Sequence, residues 1–112
     1  MEVRDIILKA ISEKKGYDIR DYDTRSLTPF MDHMIIASTG NTRQNYAICQ
    51  NIRDRLKEAD ALKDFRVEGD ANSRWILIDL KDIVVHLFVQ EEREVYRLDS
   101  LYSDVPAYTY DL

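Results

Sequence analysis

Three aspartates have the chemistry to hold a divalent metal ion together. Asp21 and Asp23 are two residues apart, so on a strand their carboxylates would face the same side. Asp79, at the end of a later apolar segment, would supply a third carboxylate. Nucleotidyltransferases use such a set, but they also need a Gly-Ser turn for the triphosphate, and this chain has no Gly-Ser pair. Solvated acids at strand ends are the simpler interpretation, and a metal-dependent nucleotidyltransferase is a minor alternative.

The histidines and the cysteine favour packing over catalysis. His86 lies inside the apolar run 84–88, where a buried imidazole with one hydrogen bond is expected. Cys49 falls on the apolar side of a predicted helix, and one cysteine alone forms neither an internal disulfide nor a thiolate metal site. The chain also lacks a glycine-rich phosphate loop, a Gly-x-Ser-x-Gly elbow and a His-Glu-x-x-His pair. We therefore expect no catalytic residue, no metal and no cofactor.

A second set of side chains is typical of binding surfaces. Tryptophan, tyrosine and arginine combine a large contact area with a fixed hydrogen-bond direction, and they often anchor protein interfaces. The chain carries such a set in and after its later predicted strands: Trp75, Asp79, Leu80, Arg93 and Tyr96. Residue type alone fits a core role equally well.

Length and composition predict one folded domain. Of the 112 residues, 45% are hydrophobic and 33% are charged, which is the balance of a folded protein rather than a disordered one. No apolar run approaches the roughly 20 residues that a membrane helix needs, and the first residues include acids where a secretory signal would be basic. We therefore expect a cytoplasmic protein that does not contact a membrane.

The net charge of −5 is concentrated near the C-terminus. Residues 91–112 contain six acidic side chains and two arginines, which gives −4 for this segment. Phosphate backbones repel an acidic surface, so direct DNA binding and unspecific RNA binding are disfavoured, whereas a basic protein surface is attracted. Solubility explains the same charge equally well.

Hydrophobic periodicity predicts an α/β (α+β) fold with a mixed sheet and flanking helices. Helices are predicted over 2–15, from 41 or 42 to about 59, and over 91–102; strands are predicted over 17–23, 31–37, 65–68, 75–80 and 83–89. The short connection between the last two strands indicates a central antiparallel pair, with Lys81 in a turn where Gly or Asn is usual. Residues 1–102 form the predicted domain, and 103–112 are predicted to be an irregular tail.

Seven short segments form a specific pattern through their order and spacing. They are 17–19 (YDI), 32–43 (DHMIIASTGNTR), 67–69 (VEG), 75–80 (WILIDL), 82–88 (DIVVHLF), 93–96 (REVY) and 98–102 (LDSLY). Together they resemble the ribosomal silencing factor family, RsfS or Iojap-like. Two positions depart from the family pattern, since Lys81 stands where the family usually has Gly and Tyr102 where it usually has Trp.

The resemblance implies a nucleotidyltransferase-like fold without the catalytic set. It also implies a protein that is not an enzyme. Similar proteins bind the fourteenth protein of the large ribosomal subunit, hinder joining of the small subunit and lower translation when nutrients are short. Mitochondrial and plastid relatives serve ribosome assembly, which is the alternative function.

The resemblance also implies a set of contact residues. By family likeness Trp75, Leu80 and Tyr96 contact the ribosomal protein, while Asp79 and Arg93 orient the complex and attract a basic partner together with neighbouring acids. A homodimer is left open, because no heptad or self-complementary patch in the sequence decides it.

Overall fold

The computed structural model describes residues 2–110. Met1, in the predicted domain, and 111–112, in the predicted tail, lie outside the described residues. In chain order the elements are α1 (Val3–Glu13), β1 (Tyr17–Asp23), β2 (His33–Thr39), α2 (Thr42–Glu58), β3 (Arg66–Glu68), β4 (Trp75–Asp79), β5 (Ile83–Val89), α3 (Gln90–Tyr96), the 3₁₀-helix η1 (Leu98–Tyr102) and β6 (Ala107–Tyr110). No helix within 2–110 is long and apolar enough to cross a membrane.

The strands form one mixed sheet in the order β3-β4-β5-β2-β1-β6. Only the β2–β5 pair is parallel among the strand pairs of the described residues. A parallel pair needs a crossover, and the chain between β2 and β5 supplies it with α2 and the β3–β4 hairpin. The predicted antiparallel pairing of β4 with β5 is confirmed, and both strands have neighbours on either side.

The two faces of the sheet are covered differently. Helices α1 and α2 cover one face, which we call the helix face, and bury the main apolar core there with inward residues such as Ile35, Val85, Ile76 and Ile78. The opposite face is covered by α3 and η1 over β2 and β1, where Tyr22 and Phe88 belong to a second, smaller cluster. We call this second side the open face, because its β4 residues remain partly exposed.

The turn chemistry explains where two elements begin and end. Of the two predicted starting positions of α2, Asn41 provides the cap, since its side-chain oxygen accepts a hydrogen bond of 2.8 Å from the backbone N–H of Gln44. Lys81 has a φ of 76°, the left-handed conformation that makes it an unusual residue for this turn. Its backbone N–H donates to Asp79 Oδ1 at 2.8 Å, which stabilises the turn.

The prediction of one helix over 91–102 is wrong. Arg97 adopts a left-handed φ of 50°, so α3 ends at Tyr96 and η1 begins at Leu98 with a new direction. Hydrophobic spacing is nearly the same in α- and 3₁₀-helices over so short a segment, and it does not reveal the break.

The prediction of an irregular tail over 103–112 is also wrong, because Ala107–Tyr110 form β6 and extend the sheet. The segment Tyr108-Thr109-Tyr110 has high strand propensity, and Tyr110 packs against the main core. The tail therefore covers the edge of β1.

Candidate functional site

An aromatic cluster stands at one end of the open face. Strand alternation sends Ile76 and Ile78 into the core and leaves Trp75 half-buried on the opposite side. The indole stacks on Phe88 with ring centroids 4.8 Å apart and an interplanar angle of 27°. The last turn of α3 brings Tyr96 to 4.8 Å from the same indole, and Tyr96 remains 54% exposed. The structure therefore places Trp75 and Tyr96 together, and part of each is open to solvent.

The indole N–H of Trp75 has a partner inside the protein. It donates to Nδ1 of His86 on the neighbouring strand at 3.0 Å. His86 is only 4% exposed, and this burial lowers its pKa to about 4. The imidazole is consequently neutral at pH 7, so that Nδ1 can accept. The expectation of a buried His86 with one hydrogen bond is confirmed.

Arg93 lies beneath this cluster rather than on the surface. Its guanidinium is 7% exposed and donates to both carboxylate oxygens of Asp99, at 3.0 and 2.9 Å. It also donates to Ser38 Oγ at 2.8 Å and to the backbone oxygen of Asp18 at 2.7 Å. These hydrogen bonds tie α3 and η1 to β1 and β2. The role of Arg93 in orienting a partner stays a prediction.

Asp99 connects this arginine to the sheet through a second contact. The phenol of Tyr22 donates to Asp99 Oδ2 at 2.6 Å. Burial alone would raise the pKa of Asp99, but the hydrogen bonds from Arg93 and Tyr22 outweigh it and hold this pKa below its usual value. Burial, together with this same bond, raises the pKa of Tyr22. Helix α3 and η1 are thus fixed to the open face by a charged and largely desolvated network.

The other two predicted contact residues lie at the far end of β4. Asp79 is half-buried on the open face, and its Oδ1 accepts the N–H of Lys81. Leu80 packs partly buried against the main core on the helix side, away from Trp75 and Tyr96. The five predicted residues therefore do not form a single patch. Strand alternation explains this difference, since Leu80 continues the series of Ile76 and Ile78 on the helix face, whereas Trp75 and Asp79 belong to the other side.

The three carboxylates considered for metal binding do not converge. Asp21 is fully buried on the helix face, where it accepts from Arg4 Nε and contacts His33 Nδ1 at 2.9 Å. Asp23 pairs with Arg25, which holds the pKa of Asp23 below its usual value. Asp79 lies on the opposite face, and 2–110 contain no group of three or more His, Cys, Asp or Glu placed to hold a metal.

The sequence as a whole matches one protein family. The model described as "Ribosomal silencing factor during starvation" matches residues 1–112. The chain belongs to the RsfS family. The resemblance inferred from the seven segments is thereby confirmed. This RsfS family member is 33% identical over 101 residues to the ribosomal silencing factor RsfS of Bacillus subtilis, an alignment covering 90% of this chain and 85% of that protein.

Longer relatives occur in organelles. The chloroplastic protein Iojap of Zea mays is 34% identical over 98 residues, which cover 88% of this chain and 42% of Iojap. The protein named "Mitochondrial assembly of ribosomal large subunit protein 1" from Mus musculus is 24% identical over 101 residues, which cover 88% of this chain and 44% of that protein. The RsfS family domain is therefore shared by bacterial proteins of similar length and by much longer organellar proteins.

Solved structures agree with the fold. A crystal structure of a protein from Chromobacterium violaceum matches with a TM-score of 0.82 and 31% identity, over 100% of this chain and 95% of that one. A second, from Bacillus halodurans, matches with a TM-score of 0.80 and 27% identity over 96% of both chains. The predicted class, a single α/β domain with a mixed sheet and flanking helices, is confirmed for this RsfS family member.

Proposed function

We propose that this RsfS family member binds the large ribosomal subunit through the fourteenth protein of that subunit. The bound domain sterically blocks association with the small subunit and represses translation under nutrient limitation. This action requires affinity and bulk but no chemistry, so the proposal includes neither an enzymatic activity nor a cofactor. It places the protein in the cytoplasm, where bacterial ribosomes are.

The observation that carries the proposal is the pair Trp75 and Tyr96 on the open face. Both rings pack on buried neighbours and still present part of their surface to solvent. A rigid aromatic group loses little conformational freedom on binding, which favours it as an interface anchor. Leu77 and Val84 on the adjoining strands are half-buried and extend the apolar area.

The charge of the chain supports a basic partner. The net charge is −5, and the β4–β3 side of the open face carries Asp79 and Glu68 together with Arg66, which lies opposite Asp79. Such acids attract a basic ribosomal protein and align it, although each contributes little to the affinity. Trp75 and Leu80 are ~17 Å apart along an extended chain, so one interface of standard size spans both ends of β4. Leu80 packs on the helix side, so it would contribute only at the rim of this interface, where β4 ends. Arg93 would contribute indirectly by fixing α3, the helix that carries Tyr96.

Co-sedimentation with isolated large subunits tests the proposal. Trp75→Ala or Tyr96→Ala should weaken binding by about 2 kcal/mol or more, about thirty-fold, because each removes a desolvated aromatic anchor. Tyr108→Ala is the matched control, since Tyr108 is 52% exposed but pairs with Asp21 on the helix side of the far strand. It should bind like the wild type.

Two results would contradict the site assignment. Binding that survives Trp75→Ala unchanged excludes this face, even though the family is established. Binding that does not weaken as the salt concentration rises excludes the electrostatic part of the argument.

A role in assembly of the large subunit is the second candidate. The name of the mouse relative, which refers to assembly of the ribosomal large subunit, favours it. The same face would be used, and the two functions differ in timing. Adding the purified chain to mature separated subunits distinguishes them, because a repressor lowers their joining whereas a factor acting only on precursors leaves it unchanged. Either function is compatible with a monomer, and also with a two-fold dimer whose open face remains accessible.

A further inference from the structure

We infer that His86 is a positioning residue that fixes the indole of Trp75 in the orientation in which it meets the ribosomal partner. The inference deepens the proposed function and rests on it for the identity of that partner.

The geometry fixes the indole from two directions. In the β4–β5 register Trp75 is opposite Phe88 and Leu77 is opposite His86, so His86 is the diagonal neighbour of Trp75 on the open face. Phe88 sets the plane of the indole by stacking, while Nδ1 of His86 accepts the only hydrogen that the indole donates. Stacking alone would also permit the ring to flip by half a turn about its Cβ–Cγ bond, which keeps the plane and moves the N–H to the other side. The hydrogen bond to His86 selects one orientation.

The surroundings of His86 keep it suited to this role. Ile36 faces it from β2 and Leu77 from β4, so the strands on both sides supply apolar groups. The charged group that acts on it is Asp99 of η1, whose carboxylate is already bound to Arg93 and Tyr22. The imidazole therefore remains neutral, with the proton on Nε2 and the lone pair on Nδ1 directed at Trp75.

A fixed indole binds more tightly because its rotamer is ordered before the partner arrives. Ordering one large side chain at an interface typically accounts for about three- to ten-fold in affinity. We therefore expect variants that remove the acceptor to lose about that factor, which is less than the loss expected when the whole indole is removed.

Two substitutions separate the hydrogen bond from simple packing. His86→Phe keeps an aromatic ring but has no acceptor, whereas His86→Asn places a side-chain oxygen close to the position of Nδ1. The chain contains one tryptophan, so its indole N–H gives a single side-chain resonance in a ¹H–¹⁵N spectrum. His86→Phe should shift that resonance and weaken binding to isolated large subunits about three- to ten-fold. His86→Asn should restore both, with the backbone amide spectrum reporting that each variant is folded.

The outcomes separate this inference from the proposed function. An indole resonance that does not move in His86→Phe shows that the hydrogen bond is absent in solution and overturns the inference. A moved resonance with unchanged binding, while Trp75→Ala still lowers binding, overturns the positioning role and leaves the proposed function standing. Unchanged binding in Trp75→Ala overturns both. If His86→Phe weakens binding and His86→Asn does not restore it, the role of His86 Nδ1 as a hydrogen-bond acceptor is also contradicted.

Discussion

Lowering the pH from 7.5 to 5.0 should destabilise this protein through His86. Burial lowers the pKa of His86 from 6.5 to about 4 in the folded state, whereas the unfolded chain takes up the proton near 6.5. Below pH 6.5 the unfolded state therefore binds more protons than the folded state. The contribution of His86 to the free energy of unfolding is therefore fully present above pH 6.5 and is lost progressively as the pH falls towards 4.

The size of the effect follows from the two pKa values. Each pH unit below 6.5 costs about 1.4 kcal/mol, so the loss at pH 5.0 is about 2 kcal/mol. The full difference between pKa values of 6.5 and about 4 corresponds to about 3 kcal/mol, reached near pH 4. Because the imidazole is almost completely buried, solvent screening reduces this figure little.

Urea unfolding followed by far-UV circular dichroism measures the prediction. The free energy of unfolding of the wild type should fall by about 2 kcal/mol between pH 7.5 and 5.0 through His86. The free energy of unfolding of His86→Phe should fall less over the same range, and the two falls should differ by about 2 kcal/mol. Comparing the two proteins cancels the contributions that other groups make to the pH dependence of both. Equal pH dependence in wild type and variant would refute the reasoning, since it would mean that His86 takes up its proton as easily in the folded state.

Two further changes probe how the open face is built. Arg93→Met should lower the free energy of unfolding by about 3 kcal/mol, because it leaves the carboxylate of Asp99 desolvated without its ion pair. Urea unfolding measures this, and a loss below about 1 kcal/mol would show that water replaces the guanidinium. Ending the chain at residue 106 removes β6 and uncovers the edge of β1. The midpoint of thermal unfolding should therefore fall, while binding to large subunits persists. Loss of binding in a folded truncated chain would place part of the contact at β6.

Local signals predicted much of the fold. Residues 17–23 and 83–89 are predicted as strands with the bounds that the structure has. The first segment shows partial alternation of apolar and polar residues, and the second is a short apolar run. The cap at Asn41 was also predictable from its side chain. The break at Arg97 was not, since a left-handed residue other than glycine leaves no mark in the hydrophobic pattern.

The sequence indicated which residues belong to the candidate site better than it indicated how their side chains are arranged. Trp75 and Tyr96, which residue type and the family resemblance group as contact residues, do meet in the structure. The burial of Arg93 depends on Ser38 and Asp18, which are more than 50 positions away in the chain, so no local pattern reveals it. The Trp75–His86 hydrogen bond needs the β4–β5 register, and the two-residue turn with strand alternation contained enough information to find it.

The position of β5 has a consequence for synthesis of this protein. Because β5 lies between β2 and β4, β2 has no parallel neighbour until residues 83–89 have been translated. Tyr96 and the Arg93–Asp99 pair are made later still, and β6 last. A nascent chain therefore lacks the complete surface that we propose for contact with the ribosome until residues 90–99 have been made and packed.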